Sequence, residues 1–364
     1  MAGNDRLDPD VIVDGHEDLA FNALSDGRDY LTSARAIRAA EEGTEVEAVT
    51  GRCMLGLADW LAARVAVIIA TLTAIPRSRA DPRELSYATF EEAREQAIGQ
   101  LEVYRRWAVE SPHIAVVGAR RDLDDILSSW ADEAPAQRRQ VGLVPLIENA
   151  DVIRDPSDVA FWVEQGVRLV GPAWHANRYS GDTRDGGPLT PLGRELIREL
   201  ERHGLTLDVT HMSNEACLEA LDLFDGRVVA THAHSRRTHA IERLLSDEVI
   251  QGIFARNGIV GVLALNWALV PGWKRGDDKA AVPLEALVDA IDTVCQIAGN
   301  AEHVALGTDF DGGQGAESAP AELDTVADLP RLASALERRG YRDDDVRRIM
   351  GGNWIRFLRS SLPD

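Results

Sequence analysis

The chain has 364 residues, 45% of them hydrophobic, with nine histidines and a formal charge of −21. That length and apolar content suffice for one α/β barrel domain spanning residues 1–364. So acidic a surface repels phosphate backbones and excludes nucleic acid as a partner. The longest apolar run, residues 61–76, carries Arg64 and is too short to cross a bilayer.

The N-terminal stretch MAGNDRLDPD has neither the basic start nor the apolar middle of a signal peptide. Cys53, Cys217 and Cys295 are scattered and form no CxxC pair, which points to reduced thiols and a cytoplasmic protein. In chain order, nine apolar runs read as strands: VIVDG from residue 11, ARVAVIIATL from 63, HIAVVG from 113, VGLVPLIEN from 141, VRLVGPAW from 167, LTLDVTH from 205, RVVATHAH from 227, GIVGVLALN from 258 and HVALGTDFDG from 303. They are continuous, not alternating, as strands buried on both faces of a parallel sheet are. Helical patterns lie between them. Thr190 caps one that has Pro191 in its first turn and stops at Gly204. Ser213 caps another that runs to Gly226, and residues 245–258 and 283–300 repeat the design. Sustained strand–helix alternation predicts a (β/α)8 TIM-type barrel. Nine runs are one too many, so residues 113–118 are read as a short extra strand outside it. Residues 25–60, polar and acidic, are read as a long loop insertion with helical pieces.

In such a barrel the chemistry sits at the C-terminal ends of the strands. His16 and Asp18 end the first strand, two residues apart and so on one face, a natural pair of metal ligands. Glu148 ends the fourth run, His211 the sixth, His232 the seventh and Asp309 the last. His211 and His232 come from adjacent strands and can reach one ion, and a single Glu148 carboxylate can bridge two. Nitrogen and oxygen donors without thiolate suit zinc, manganese or cobalt, with zinc first on histidine content. Singly, each has a plainer reading: a strand-end histidine is usually structural, and Glu148 could cap the next helix. Together, at one face, they read as a metal centre.

Six stretches carry a resemblance: DGHEDL (14–19), LIENADVI (146–153), GPLTPLGRELIRELERHGLTLDVTHMS (187–213), ATHAHSR (230–236), GTDFDG (307–312) and GGNWIRFL (351–358). They resemble the signatures of the membrane (renal) dipeptidase family, dinuclear zinc peptidases on an amidohydrolase-like barrel. The resemblance runs from residue 11 to about 358 and is weaker over 25–110. It implies that His16 and Asp18 hold one zinc, His211 and His232 the other, and that Glu148 bridges them. It puts the catalytic aspartate on Asp309 and the arginine that grips the substrate carboxylate on Arg243, which the residues alone would leave as a solvated charge at a helix start. In a gapless alignment the substrate-polarising histidine falls on Trp174, with His175 next to it: either the loop shifts by one and His175 is the catalytic and substrate-binding residue there, or the role is lost or filled differently. Glu17 stands where the family commonly has Asn, and faces away from the metals. The vertebrate members are secreted and lipid-anchored with disulfides. With no signal peptide and no apolar C-terminal tail, this chain is expected to be a soluble microbial-type relative.

The implied function is a dipeptidase that cleaves short peptides with a free C-terminal carboxylate, L-Ala-D-Ala among them, by a hydroxide held between two divalent metals. A peptide substrate is the expected partner, no membrane is, and a homodimer is allowed. The alternatives are another amidohydrolase-type amide or lactone hydrolase, such as an N-acyl-amino-acid deacylase, and a metal-binding protein without turnover. Arg243 separates the first, since a deacylase of neutral substrates has no use for it.

Overall fold

A computed structural model describes residues 10–132 and 134–364; residues 1–9, on which most of the signal-peptide expectation rests, lie outside them. Eight strands form the barrel: β1 (Ile12–Glu17), β2 (Val65–Leu72), β3 (Val141–Ile147), β4 (Leu169–Val170), β5 (Thr206–Asp208), β6 (Val228–Val229), β7 (Val260–Val262) and β8 (Val304–Leu306). Their order is β6-β5-β4-β3-β2-β1-β8-β7, every pair parallel. A parallel bridge between Ala230, just past β6, and Val260 of β7 joins the two ends. Seven of the strand candidates each contain one of these, VIVDG covers the first four residues of β1, and Ile114–Val116 is the extra strand outside the barrel. It fits because β3 divides one edge: Val141–Leu143 pair with Ile114–Val116, and Leu146–Ile147 pair with β4.

The helices follow their caps. The Thr190 hydroxyl accepts from the Gly193 N–H at 3.0 Å, and the helix Pro191–Arg202 ends just before Gly204 at φ +66°. Ser213 caps Asn214–Leu223, which stops short of Gly226 because Phe224 turns extended. Ser246 caps Asp247–Phe254. Arg243 therefore lies in the turn before that helix and is not the helix-start charge that its place in the sequence suggests. The insertion holds short helices at Ala34–Glu41, Glu45–Thr50 and Leu57–Ala63. Buried Asp311 pins it to the barrel mouth, accepting from the Met54 N–H at 2.8 Å and the Tyr30 hydroxyl at 3.1 Å.

The barrel narrows on the Thr231 carbonyl. A Cβ on Gly307 would stand 1.8 Å from that oxygen, and one on Gly261 2.1 Å. Only glycine allows so close an approach. At the other end the C-terminal helix Asn353–Ser361 closes the barrel: Trp354 Nε1 donates to the Leu306 carbonyl at 2.8 Å and Asn353 to those of Ala301 and Val304. This is the structural work of GGNWIRFL.

Candidate metal centre at the barrel mouth

The strand ends bring His16, Asp18, Glu148, His211, His232 and Asp309 to one place. Glu148 Oε1 is at the middle, 3.3 Å from His16 Nε2, 3.3 Å from His211 Nε2 and 3.6 Å from His232 Nε2. His16 Nε2 also faces Asp18 Oδ1 at 3.8 Å and Asp309 Oδ1 at 4.0 Å. Among the described residues the groups with converging ligand atoms are His16–Asp18–Glu148, Glu148–His211–His232 and His16–His232–Asp309. The first two share Glu148. His211 and Asp309 take left-handed backbone, at φ +69° and +59°. For non-glycine residues such conformations cost energy and cluster at functional sites.

A shell of hydroxyls and carboxylates aims these groups. The Thr231 hydroxyl donates to Asp208 Oδ2 at 2.6 Å and lies 3.0 Å from His232 Nδ1 and 3.4 Å from His16 Nδ1. A hydroxyl already donating to a carboxylate accepts from the ring N–H, which leaves Nε2 bare towards the centre. Asp14 accepts from the backbone N–H groups of Thr308 at 2.8 Å and His16 at 3.2 Å, tying β1 to β8. The Thr73 hydroxyl is 2.7 Å from Asp18 Oδ1 and 3.0 Å from Glu148 Oε2, and Gln100 holds the Thr73 backbone from both sides.

Burial dominates the electrostatics and charge decides the signs. Burial lowers the His16 imidazolium, but the carboxylates of Glu148, Asp18 and Asp309 outweigh it and raise its pKa to about 9. Burial and the Arg243 cation push His211 down to about 4. Burial opposes the Glu148 charge too, yet His16 and His211 hold its carboxyl well below the usual range. Burial drives Asp309 well above it. The residues fit divalent cations: imidazole and carboxylate donors converge, His16 Nε2 is buried without a hydrogen-bond partner, and His211 Nε2 lies 2.9 Å from His232 Nε2.

A cavity of about 340 Å³ opens over this centre. Its further wall is Trp174, Thr183, Arg184, Arg243, Trp267 and Gln314. Arg243 Nη2 donates to the His232 carbonyl at 3.0 Å and sits 3.3 Å from His211 Nε2. Its Nη1 is buried with no hydrogen-bond partner, as are Trp267 Nε1 and Gln314 Oε1. His175 is not among the lining residues. Its ring is buried behind the wall, with Nδ1 3.3 Å from the Asn149 side chain and Nε2 3.5 Å from the Tyr87 hydroxyl and 3.7 Å from Asp151. The expectation that His175 faces the substrate meets the reverse geometry: two residues in succession point opposite ways, and Trp174 has the inner side. Glu17 stands apart from the ligand groups, buried beside Asp14 and Asp311.

The sequence reading missed Asp14, Thr73, Asp208, Thr231, Arg184, Trp267 and Gln314. For Asp14, Asp208 and Thr231 the signal was present, a polar residue inside an otherwise apolar strand. For the others it was not.

A profile described as membrane dipeptidase (peptidase family M19) matches residues 7–361. The chain belongs to the membrane dipeptidase family. Membership makes it a metallo-dipeptidase by class, a hydrolase that binds divalent metal. It is 34% identical over 212 residues to an uncharacterized protein in the pqqA 5′ region of Klebsiella pneumoniae, a match covering 56% of this chain and 75% of that one. It is 32% identical over 200 residues to dipeptidase tcpJ of Claviceps purpurea, covering 53% of this chain but only 44% of that relative's length. Its fold is similar to that of a Rhodobacter sphaeroides metallo peptidase liganded with a phosphinate mimic of L-Ala-D-Ala, at TM-score 0.77 and 21% identity, covering 98% of this chain and all of the other. The probable dipeptidase PvdM of Pseudomonas aeruginosa is comparable, at TM-score 0.76 and 20% identity over 97% of this chain and 95% of that one. Among the described residues no helix is long and apolar enough to cross a membrane.

Proposed function

We propose that this barrel hydrolyses dipeptides with a free C-terminal carboxylate, L,D-dipeptides such as L-Ala-D-Ala included, with two zinc ions. His16 and Asp18 would hold one, His211 and His232 the other, with Glu148 available to both. When bound, the ions acidify water and polarise the scissile carbonyl. Asp309, on the cavity wall 4.0 Å from His16 Nε2 with its proton affinity raised, takes the proton of the attacking water and returns it to the leaving amine. Thr231 and Asp208 hold His232 in the tautomer that ligation needs. His175 has no part in this reading, because its ring nitrogens face Asn149 and Tyr87. The reducing compartment suggested by three buried free cysteines supports a cytoplasmic enzyme.

The observation that carries the reading is Arg243 Nη1, a buried cationic donor without a partner in the cavity that holds the ligand groups. A buried guanidinium N–H demands an acceptor, and a substrate carboxylate supplies one in bidentate geometry. The phosphinate mimic of L-Ala-D-Ala carried by the Rhodobacter protein suggests the first substrate to try. A charge-assisted contact is worth about 1.5–3 kcal/mol, so Arg243→Ala lowers kcat/KM on L-Ala-D-Ala by roughly ten- to a few-hundred-fold. The loss is selective: the C-terminally amidated analogue has no carboxylate to lose. Equal cleavage of acid and amide by the wild type, or equal harm to both in the variant, removes the clamp and favours the deacylase alternative.

A further inference from the structure

The mouth holds a second cation that the proposed reaction does not use. Arg184 sits at the tip of the hairpin formed by Ser180–Asp182 and Gly186–Leu189, on the wall of the same cavity as Arg243. The tip is held firmly. Asp182 Oδ1 accepts from the backbone N–H groups of Arg184 at 3.0 Å and Asp185 at 2.6 Å, a turn of the Asx kind. The Thr183 N–H donates to the His211 carbonyl at 3.0 Å, and Asp182 bridges to Met212. The guanidinium lies 5.1 Å from the ring centre of Trp174, which itself faces the His211 ring at 6.3 Å. The neighbouring Asp185 pairs with Arg79 and is not available to it. Among the described residues no ion pair includes Arg184, although acids outnumber bases in the chain by 60 to 39.

A dipeptide with neutral side chains brings one carboxylate, and Arg243 accounts for it. Arg184 is exposed at the rim, where water meets it in the free protein; held beside Trp174 over the mouth with no carboxylate of the chain on it, it is open to a second anion. Both cations lie on the His211 side of the centre: Arg243 Nη2 is 3.3 Å from His211 Nε2, and the Arg184 loop is bonded to the His211 backbone. The second anion therefore belongs to the same residue of the substrate as the first. We propose that Arg184 binds an acidic side chain on the C-terminal residue, so that the favoured substrates are dianionic dipeptides ending in aspartate or glutamate. This rests on the dipeptidase reading above and narrows its substrate class.

The test uses isosteric pairs that differ only in charge, with zinc present: Ala-Glu against Ala-Gln, each with L and D C-terminal residues, and Glu-Ala against Gln-Ala. For the wild type the expected kcat/KM ratio of Ala-Glu to Ala-Gln is about five- to ten-fold for a contact at a partly solvated rim. Raising the salt concentration shrinks it. Arg184→Gln brings the ratio near one, Arg184→Lys keeps part of it, and the Glu-Ala to Gln-Ala ratio does not respond to either. A wild-type ratio near one, or equal losses on Ala-Glu and Ala-Gln in Arg184→Gln, overturns the inference while dipeptide turnover keeps the function itself standing. Turnover of none of the peptides overturns both.

Discussion

Two hollows of this barrel make opposite use of similar residues. The larger, about 870 Å³, lies where the chain enters β8, between the helices Leu284–Ala298 and Pro330–Arg339. The smaller, about 340 Å³, lies at the other end, over the metal centre. Both carry arginines, carboxylates and an aromatic residue. In the large one the polar groups answer each other: the Tyr341 hydroxyl donates to Asp292 at 2.8 Å and Arg348 to Asp345 at 3.0 Å. In the wall of the small one Arg243 Nη1, Trp267 Nε1 and Gln314 Oε1 are buried without partners, as is His16 Nε2 beneath it. Native proteins leave few such atoms, because each costs about 1–3 kcal/mol. The mouth is set apart not by size but by open polar atoms that converge with a cluster of imidazoles and carboxylates.

The contrast breaks most completely at Glu148, the one carboxylate shared by two ligand groups. In the proposed two-ion centre Glu148→Ala removes the shared ligand, so metal content falls below that of the wild type and turnover goes with it. The fall in affinity exceeds the roughly 10–100-fold that loss of a supporting group costs. Full retention of two ions, by elemental analysis of the purified variant, refutes the bridge. Asp309→Asn comes next. It keeps the metals and lowers kcat by roughly 10²–10⁴-fold, as loss of a proton-transfer group does; near-normal kcat with metals bound means that another group moves the proton. A smaller effect is expected from Thr231→Val, which keeps the shape and deletes the hydroxyl between Asp208 and His232. No ligand is removed, yet metal affinity drops by about 10–100-fold in a chelator competition. The smallest sharpens the comparison from the other hollow. Tyr341→Phe gives up one hydrogen bond, about 0.5–1.5 kcal/mol of stability by denaturant titration, and changes kcat/KM by less than about two-fold. A large activity loss there contradicts the contrast.

The two regions also differ in how far they can be read along the chain. His16, Asp18, Glu148, His211, His232 and Asp309 were legible because each breaks an apolar run at its end, where a buried parallel strand meets the mouth. Thr231 and Asp208 stood in quoted stretches, but nothing local says that they bond to each other. Arg243 came from resemblance alone. Its place in the sequence even suggested a helix start, because Leu244 and Leu245 imitate the apolar spacing of the helix that Ser246 begins. His175 was chosen over Trp174 for its chemistry, and the direction of successive side chains in an irregular loop is set by what they pack against. Arg184 carried no signal at all, since a charged residue in a polar turn is ordinary until its missing partner is noticed.

The sequence by itself determined the alternation of strand and helix, the eight barrel strands with their outlier at Ile114–Val116, and the histidines and carboxylates gathered at the strand ends. These depend on short-range facts: runs of apolar residues, caps such as Thr190 and Ser213, and ionisable groups where a run stops. Only the tertiary structure decided which polar atoms are answered and which are left open. Asp14 meets Thr308 across 294 residues of chain, Asp208 meets Thr231 across 23, and the Arg184 hairpin is fastened to His211. Hydrogen bonds and charges act through a few ångströms of space, whatever the separation along the chain, so the chemistry of the mouth exists only once the barrel has closed.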